Sequence, residues 1–208
     1  MDAMNPQVIQ TFLMRKGVNL ETFNANSYKT FDDFVTEWEE LDIALGLWKV
    51  EPEGEEPDVF PLTVRRNVKG IVADENHEWR EVSRTFKSGR TLAKGRREAF
   101  SETRKIKEKP FSAIVRCLLQ ERKVSVTPDL IVPIRSHYKP EEVRLSSVFH
   151  LIFSRSIPDY FYIRPELVGF GADDIELDDQ SAKNLVRRFP LSNETRILLN
   201  RNKILLKT

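Results

Sequence analysis

Eight consecutive residues, Glu51-Pro52-Glu53-Gly54-Glu55-Glu56-Pro57-Asp58, constrain this chain more than any others. Two prolines remove backbone donors, a glycine loosens the chain, and five carboxylates repel one another. No helix or sheet continues through such a stretch, so the sequence predicts a linker or a long exposed loop there. The chain is therefore read in four parts: a helical region over 1–50, the acidic loop over 51–58, a central α+β core over 59–165, and a helical subdomain over 166–208.

Apolar periodicity fills in the elements. Asn5-Pro6 opens a helix, Val8, Ile9, Phe12 and Leu13 give it one apolar face, and Gly17 ends it. Thr30 with Asp33 has the spacing of a capping box, and Phe31, Phe34, Val35, Trp38 and Leu41 carry a second helix over 31–45. Residues 59–64 and 68–72 read as a hairpin of two short strands. Residues 78–87 and 96–107 are helix-prone, and Pro110 opens a buried helix over 110–121. Short strands are predicted over 123–126, 130–134 and 160–163, with a largely buried helix starting at Pro140 between the last two. A helix over 180–188, the Phe189-Pro190-Leu191 turn and a helix over 193–199 capped by Ser192 make a small C-terminal helical hairpin, with a last strand over 203–206. Helices and short strands alternate without a βαβ rhythm, so the fold class is α+β: one compact domain with that hairpin plus strand appended.

At 208 residues the chain is long enough to build a core without staples. Its one cysteine, Cys117, lies in an apolar run and reads as a small buried hydrophobe. No run of apolar residues is long enough for a membrane span, and Met1-Asp2-Ala3-Met4 has no basic start or apolar stretch of a signal peptide. The expectation is a cytoplasmic protein with no membrane partner, or one held within an assembled particle.

The net charge of +1 conceals a segregated pattern. From Asp32 to Asp58 there are eleven acids and one base, Lys49, a net of −10. From Arg84 to Lys109 there are ten bases and three acids, a net of +7. Arg84, Lys87, Arg90, Lys94, Arg96 and Arg97 follow one another without an intervening acid. Exposed ion pairs within a fold contribute only about 0–1 kcal/mol each, so folding does not require such blocks. Complementary charge does steer association and set register between molecules. The acidic residues Glu51, Glu53, Glu55, Glu56 and Asp58 and the six basic ones are therefore the candidate partner-binding residues. The basic set also suits phosphate. Lys87-Ser88-Gly89-Arg90-Thr91 and Lys94-Gly95-Arg96-Arg97 combine cations with glycines that admit close backbone approach and hydroxyls that donate. Phe86 and Phe100 flank the stretch and read as core anchors ahead of base-stacking residues. The P-loop spacing is absent.

Catalytic patterns are sparse. A structural zinc site needs more thiol and imidazole ligands than one cysteine and the three histidines His77, His137 and His150 supply at these spacings. Asp174, Glu176 and Asp178 alternate as on a solvated strand face. They begin like a calcium loop, but Asp179 stands where its glycine belongs and Leu185 where its glutamate belongs. Arg144-Leu145-Ser146-Ser147-Val148-Phe149-His150 resembles, over seven residues, the Arg…His pair of HEPN-type ribonucleases; the resemblance implies a pair that polarises phosphate and moves protons. No catalytic residue, metal ligand or cofactor is assigned.

The leading expectation is a non-enzymatic structural or assembly subunit of a larger complex, such as a viral or phage particle component or a nucleoprotein machine. It would meet other copies of itself or other protein subunits through the two charged segments. The alternative is a nucleic-acid-binding protein, taking RNA or DNA phosphates along 84–109; the second alternative is a HEPN-like ribonuclease.

Overall fold

The computed structural model describes residues 6–20, 30–50, 58–87, 89–127, 130–134, 143–145, 152–178 and 182–204. It is a mixed α+β protein in which sheet outweighs helix. Two compact units divide it: Met1–Arg66 with Lys105–Lys107 and Lys139–Ile157, and Asn67–Arg104 with Glu108–Tyr138 and Pro158–Thr208.

In the first unit, α1 (Pro6–Arg15) and α2 (Phe31–Glu40) bury Ile9, Leu13 and Phe34 with Val18 and Ile152. Gly17, at φ +79°, takes the left-handed turn that ends α1. The capping box forms as read: the Thr30 amide donates to Asp33 Oδ2 at 2.7 Å and the Asp33 amide to Thr30 Oγ1 at 3.0 Å. The helix expected to reach residue 45 stops at Glu40, because Ile43–Val50 (β1) pairs antiparallel with the first half of β2 (Asp58–Ala73). Arg65 of β2 donates to Glu37 of α2 at 2.8 Å. Asp58, read as the end of the acidic loop, is already in β2, opposite Val50.

The second unit is a sheet with a helix on each face. β6 (Ile131–Ile134), β8 (Phe153–Ile163), β2, β3 (His77–Phe86), β10 (Ala182–Pro190) and β9 (Ile175–Asp178) are neighbours in that order. β2 and β3 touch only beside their turn, at Val72↔Trp79 and Ala73↔Glu78. Further from it, β3 pairs with β4 (Thr91–Glu98) and β2 with β5 (Phe100–Thr103). α3 (Pro110–Arg122) packs Ala113, Ile114, Cys117 and Leu118 on the face that carries Val68, Val72, Trp79, Phe100, Phe161 and Ile163. α4 (Asn193–Arg201) places Leu199 on the opposite face, with Ala73 and Tyr162.

Several expected helices are strands. The helix expected over 78–87 is β3, His77–Phe86, flanked on both sides by partners that accept and donate its backbone bonds, with Lys87 in the turn. The 96–107 stretch divides into the end of β4 and β5, drawn into the sheet by burial of Ala99 and Phe100. Residues 182–190 are β10, with Ala182, Asn184 and Val186 buried and Lys183 and Arg187 exposed: the period is two, not 3.6. The C-terminal helical hairpin therefore loses its first helix and leaves only α4, capped by Ser192 as expected. The hairpin read over 59–72 is a single sixteen-residue strand. The helix expected from Pro140 falls mainly outside the described residues; Arg144–Leu145 within it is β7, paired with the start of β8. Of the strand expected over 203–206, Lys203 and Ile204 instead close the end of α4, and the rest lies outside the described residues. Among the described residues no helix is long and apolar enough to cross a membrane.

Candidate functional site

The basic segment becomes the outer hairpin of the second unit's sheet. At its tip the Phe86 amide donates to the Arg90 carbonyl at 2.9 Å and Gly89 adopts φ +84°, a conformation that residues with a Cβ rarely take. Among the described residues β4 pairs with β3 alone, so its other edge is open. Glu81 stands opposite Arg97 and Ser83 opposite Ala93, so the single residue Val82 faces three of β4: Lys94, Gly95 and Arg96. Residues 94–96 thus form a β-bulge, a device that breaks regular pairing, and Arg97 is back in register at its end. Gly95 has open space where a Cβ would stand.

The six basic residues do not share one environment. Arg84 is partly buried and lies 3.6 Å from Glu81. Lys87, Arg90 and Arg97 are exposed. The backbone places Lys94 and Arg96 in the bulge. Phe100 is a core residue, stacked on Phe170 at 5.6 Å between centroids, as the anchor reading expected. The acidic residues Glu51, Glu53, Glu55 and Glu56 lie outside the described residues, as do His137 and His150. Arg144 is exposed on β7, a strand, so the helix on which the Arg…His resemblance was placed is not present at that residue. His77 sits at the start of β3 with Nδ1 3.4 Å from Asp74 Oδ1. Asp174 forms a two-pronged ion pair with Arg187 at 2.8–3.1 Å, so it holds β10 rather than a cation.

A second polar group was not legible in the sequence. On the α4 face of the sheet a cavity of about 340 Å³ is lined by side chains from β2, β3, β4, β8 and α4. Glu78 and Arg80 project into it from alternate positions of β3, and Glu98 enters from directly opposite Arg80 on β4. Glu78 Oε2 accepts from Arg80 Nη2 at 2.9 Å, from Ser192 Oγ at 3.3 Å and from the hydroxyl of Thr195. Arg80 Nη2 also donates to Thr195 Oγ1 at 2.7 Å. Glu98 Oε2 lies 3.3 Å from Lys69 Nζ, whose ammonium stands 5.8 Å from the Tyr160 ring centroid. Its other oxygen is 3.9 Å from Arg80 Nη1. Charges this deep are retained only when paired, and here each carboxylate has a cation beside it.

The arrangement leaves hydrogen-bonding capacity facing the cavity. The Glu78 side chain is 5% exposed, yet among the described residues no donor reaches its Oε1. Arg80 Nε and Nη1 likewise donate to no described acceptor within hydrogen-bond distance. Reading 77–86 as a strand would have put Glu78 and Arg80 on one face, with the apolar Trp79 on the other; the helical reading dispersed them. Among the described residues no group of three or more His, Cys, Asp and Glu gathers around a common point suited to a metal ion.

No protein-family model matches this sequence, and no match is found among curated proteins.

Proposed function

We propose that this chain binds nucleic acid, taking its phosphates along the open edge formed by the β3–β4 hairpin. One observation carries the reading: Lys94, Gly95 and Arg96 occupy a bulge, followed by the exposed Arg97, on a strand that among the described residues pairs on one side only, next to a turn that exposes Lys87 and Arg90. Bulged backbone turns side chains away from the regular alternation, and a glycine within it admits close approach of a sugar-phosphate chain. Cations so placed make sequence-independent contacts with a polyanion. Edge strands also carry charges to prevent pairing with other chains. This edge and its turn carry five along eleven residues, with no acid among them.

The test is a salt series with a labelled single strand, read by fluorescence anisotropy. Each phosphate neutralised contributes about −0.7 to the slope of log K against log salt, so five cations give a slope of up to roughly −3.5. The Arg90→Ala/Arg96→Ala/Arg97→Ala variant is expected to flatten that slope by about 2. No binding at 50 mM salt, or an unchanged slope in the variant, overturns the proposal.

The same open edge favours a second reading, a structural or assembly subunit whose contacts with its own copies or other subunits are steered by charge. An unpaired strand is a template for another chain, and the acidic 32–58 segment complements its sign. Light scattering decides it: assemblies that survive nuclease, dissolve in salt and disappear in Glu53→Lys/Glu55→Lys/Glu56→Lys support assembly. A monomer at every salt concentration dismisses it.

A further inference from the structure

We infer that the cavity under α4 takes one unpaired nucleobase bearing an exocyclic amino group, drawn from the strand whose phosphates lie on the basic edge. The inference rests on the nucleic-acid reading and gives it a second, chemically different contact.

Size restricts the occupant first. At about 340 Å³ the cavity is at the low end for small-molecule sites, which run from about 300 to 1,000 Å³. A base or nucleoside fits such a volume.

Charge then sorts the two parts of a nucleotide. Glu78, Glu98 and Glu194 line the cavity against a single lining cation, Arg80, so a phosphate entering it meets an excess of carboxylate. The cations that would attract phosphate lie along β4 before Glu98 and at the hairpin tip. A strand laid on this edge would keep its backbone at the bulge and turn a base inward. β4 carries both ends of the path on its two faces: Arg97 stands opposite Glu81, and Glu98, opposite Arg80, lies in the cavity wall, so the strand would cross the edge of β4 between them.

Hydrogen bonding narrows the ligand further. The unoccupied acceptor is Glu78 Oε1, on a carboxylate held in place by three donors to its other oxygen. The Arg80 guanidinium that holds its other oxygen carries two further groups, Nε and Nη1, with no described acceptor within hydrogen-bond distance. An acceptor fixed next to donors complements a base edge on which an amino group adjoins a ring nitrogen or carbonyl, as on adenine, cytosine and guanine. Uracil meets the carboxylate with a ring N3–H in place of an amino group, a weaker match that still leaves it a contact. The Tyr160 ring and the apolar Leu198 and Ile71 line the rest of the cavity and suit a planar, weakly polar body.

The experiment compares single strands of equal length that carry adenines, uracils or abasic sites, by anisotropy at one salt concentration. Adenine strands are expected to bind about tenfold tighter than abasic ones, with uracil strands between. Glu78→Gln, which replaces one carboxylate oxygen by a donor, is expected to bring adenine and abasic affinities together. Because Glu78 is buried, Leu198→Trp serves as a second variant that fills the cavity from α4, with circular dichroism to check the fold. Free adenosine titrated into the unmodified protein is expected to shift the Thr195 and Ser192 amides saturably in NMR spectra. Equal affinity for adenine and abasic strands, with no saturable shift from adenosine, overturns the pocket while leaving phosphate binding intact. Failure of every strand to bind removes the nucleic-acid reading, and the adenosine titration then judges the cavity alone.

Discussion

Thr195, on the first turn of α4, donates its hydroxyl to the carboxylate of Glu78 on β3. The contact fixes the helix to the polar side of the sheet, because Thr195 Oγ1 also accepts from Arg80 at 2.7 Å. Thr195 is 2% exposed, so water does not replace what is removed. Thr195→Val preserves shape but removes the hydroxyl, so Glu78 loses one donor and Arg80 one acceptor while their bond to each other remains. A hydrogen bond to a charged group contributes about 1.5–3 kcal/mol. The expected result is a drop of that size in urea-unfolding stability at unchanged m value, with Thr195→Ser close to the parent. A neutral Thr195→Val would mean that the hydroxyl contributes nothing to docking α4.

Gly70 lies within β2, opposite Phe100 of β5. An added Cβ would stand 2.7 Å from Ile163 Cδ1 and 3.1 Å from Phe100 Cβ, so the missing side chain is space those residues already fill. Overpacking of this kind costs about 1–3 kcal/mol. Gly70→Ala is expected to lose that much in the same unfolding assay. Gly171→Ala, with nothing within 4 Å of its Cβ, is expected to stay within about 0.5 kcal/mol of the parent.

The strand that holds Gly70 was misread as a hairpin. The polar Arg65-Arg66-Asn67 separates two β-prone stretches, 59–64 and 68–72, but β2 runs straight through it because it pairs with β1 up to Arg65 and with β5 from Asn67. The elements whose signals are local were legible: the Thr30/Asp33 box, Pro110 opening α3 and Ser192 capping α4. The elements whose state depends on neighbours were not. β10 alternates Ala182, Asn184 and Val186 inward, a period visible in the sequence but masked by helix-prone Lys183, Leu185 and the arginines. For the site, the basic hairpin was legible as charge, since charge runs need no tertiary context. Its bulge was not, because a three-against-one register exists only relative to β3. The cavity needs five elements at once, so no local window held it.

The Asp174–Arg187 pair has a pH signature of known sign. The guanidinium hydrogen bonds hold the Asp174 carboxyl below its ordinary value. A depressed carboxylate stabilises the fold above its unfolded pKa, and that contribution is lost as pH falls through the folded value. Both groups are on the surface, so the effect on stability is small and the titration itself is the readout. The Asp174 carboxyl carbon, followed by NMR, is expected to titrate at lower pH than in an Arg187→Gln variant. Identical midpoints would show that the pair does not persist in solution.

Cys117 supplies the last prediction, from the opposite sign. It is fully buried on α3, with Sγ donating to Glu121 Oε1 at 3.4 Å. Burial foremost, then the carboxylates of Glu121 and Glu102, push its thiol well above the ordinary value, and Arg116 opposes them only in part. An acid whose folded pKa is raised stabilises the fold fully below its unfolded pKa, about 8.5 for a thiol. That contribution declines once pH passes the unfolded value, because the unfolded chain ionises and the folded one does not. Stability is therefore expected to contain a component that falls by about 1.4 kcal/mol per pH unit above that point. Cys117→Ala removes it, and the difference between the two pH profiles isolates it from every other titrating group. The same burial predicts that a thiol reagent at pH 8 labels the folded protein at least roughly a thousandfold more slowly than the unfolded chain, since attack must wait for opening. Rapid labelling in the absence of denaturant would place Cys117 within reach of water and undo the packing of α3 on its sheet.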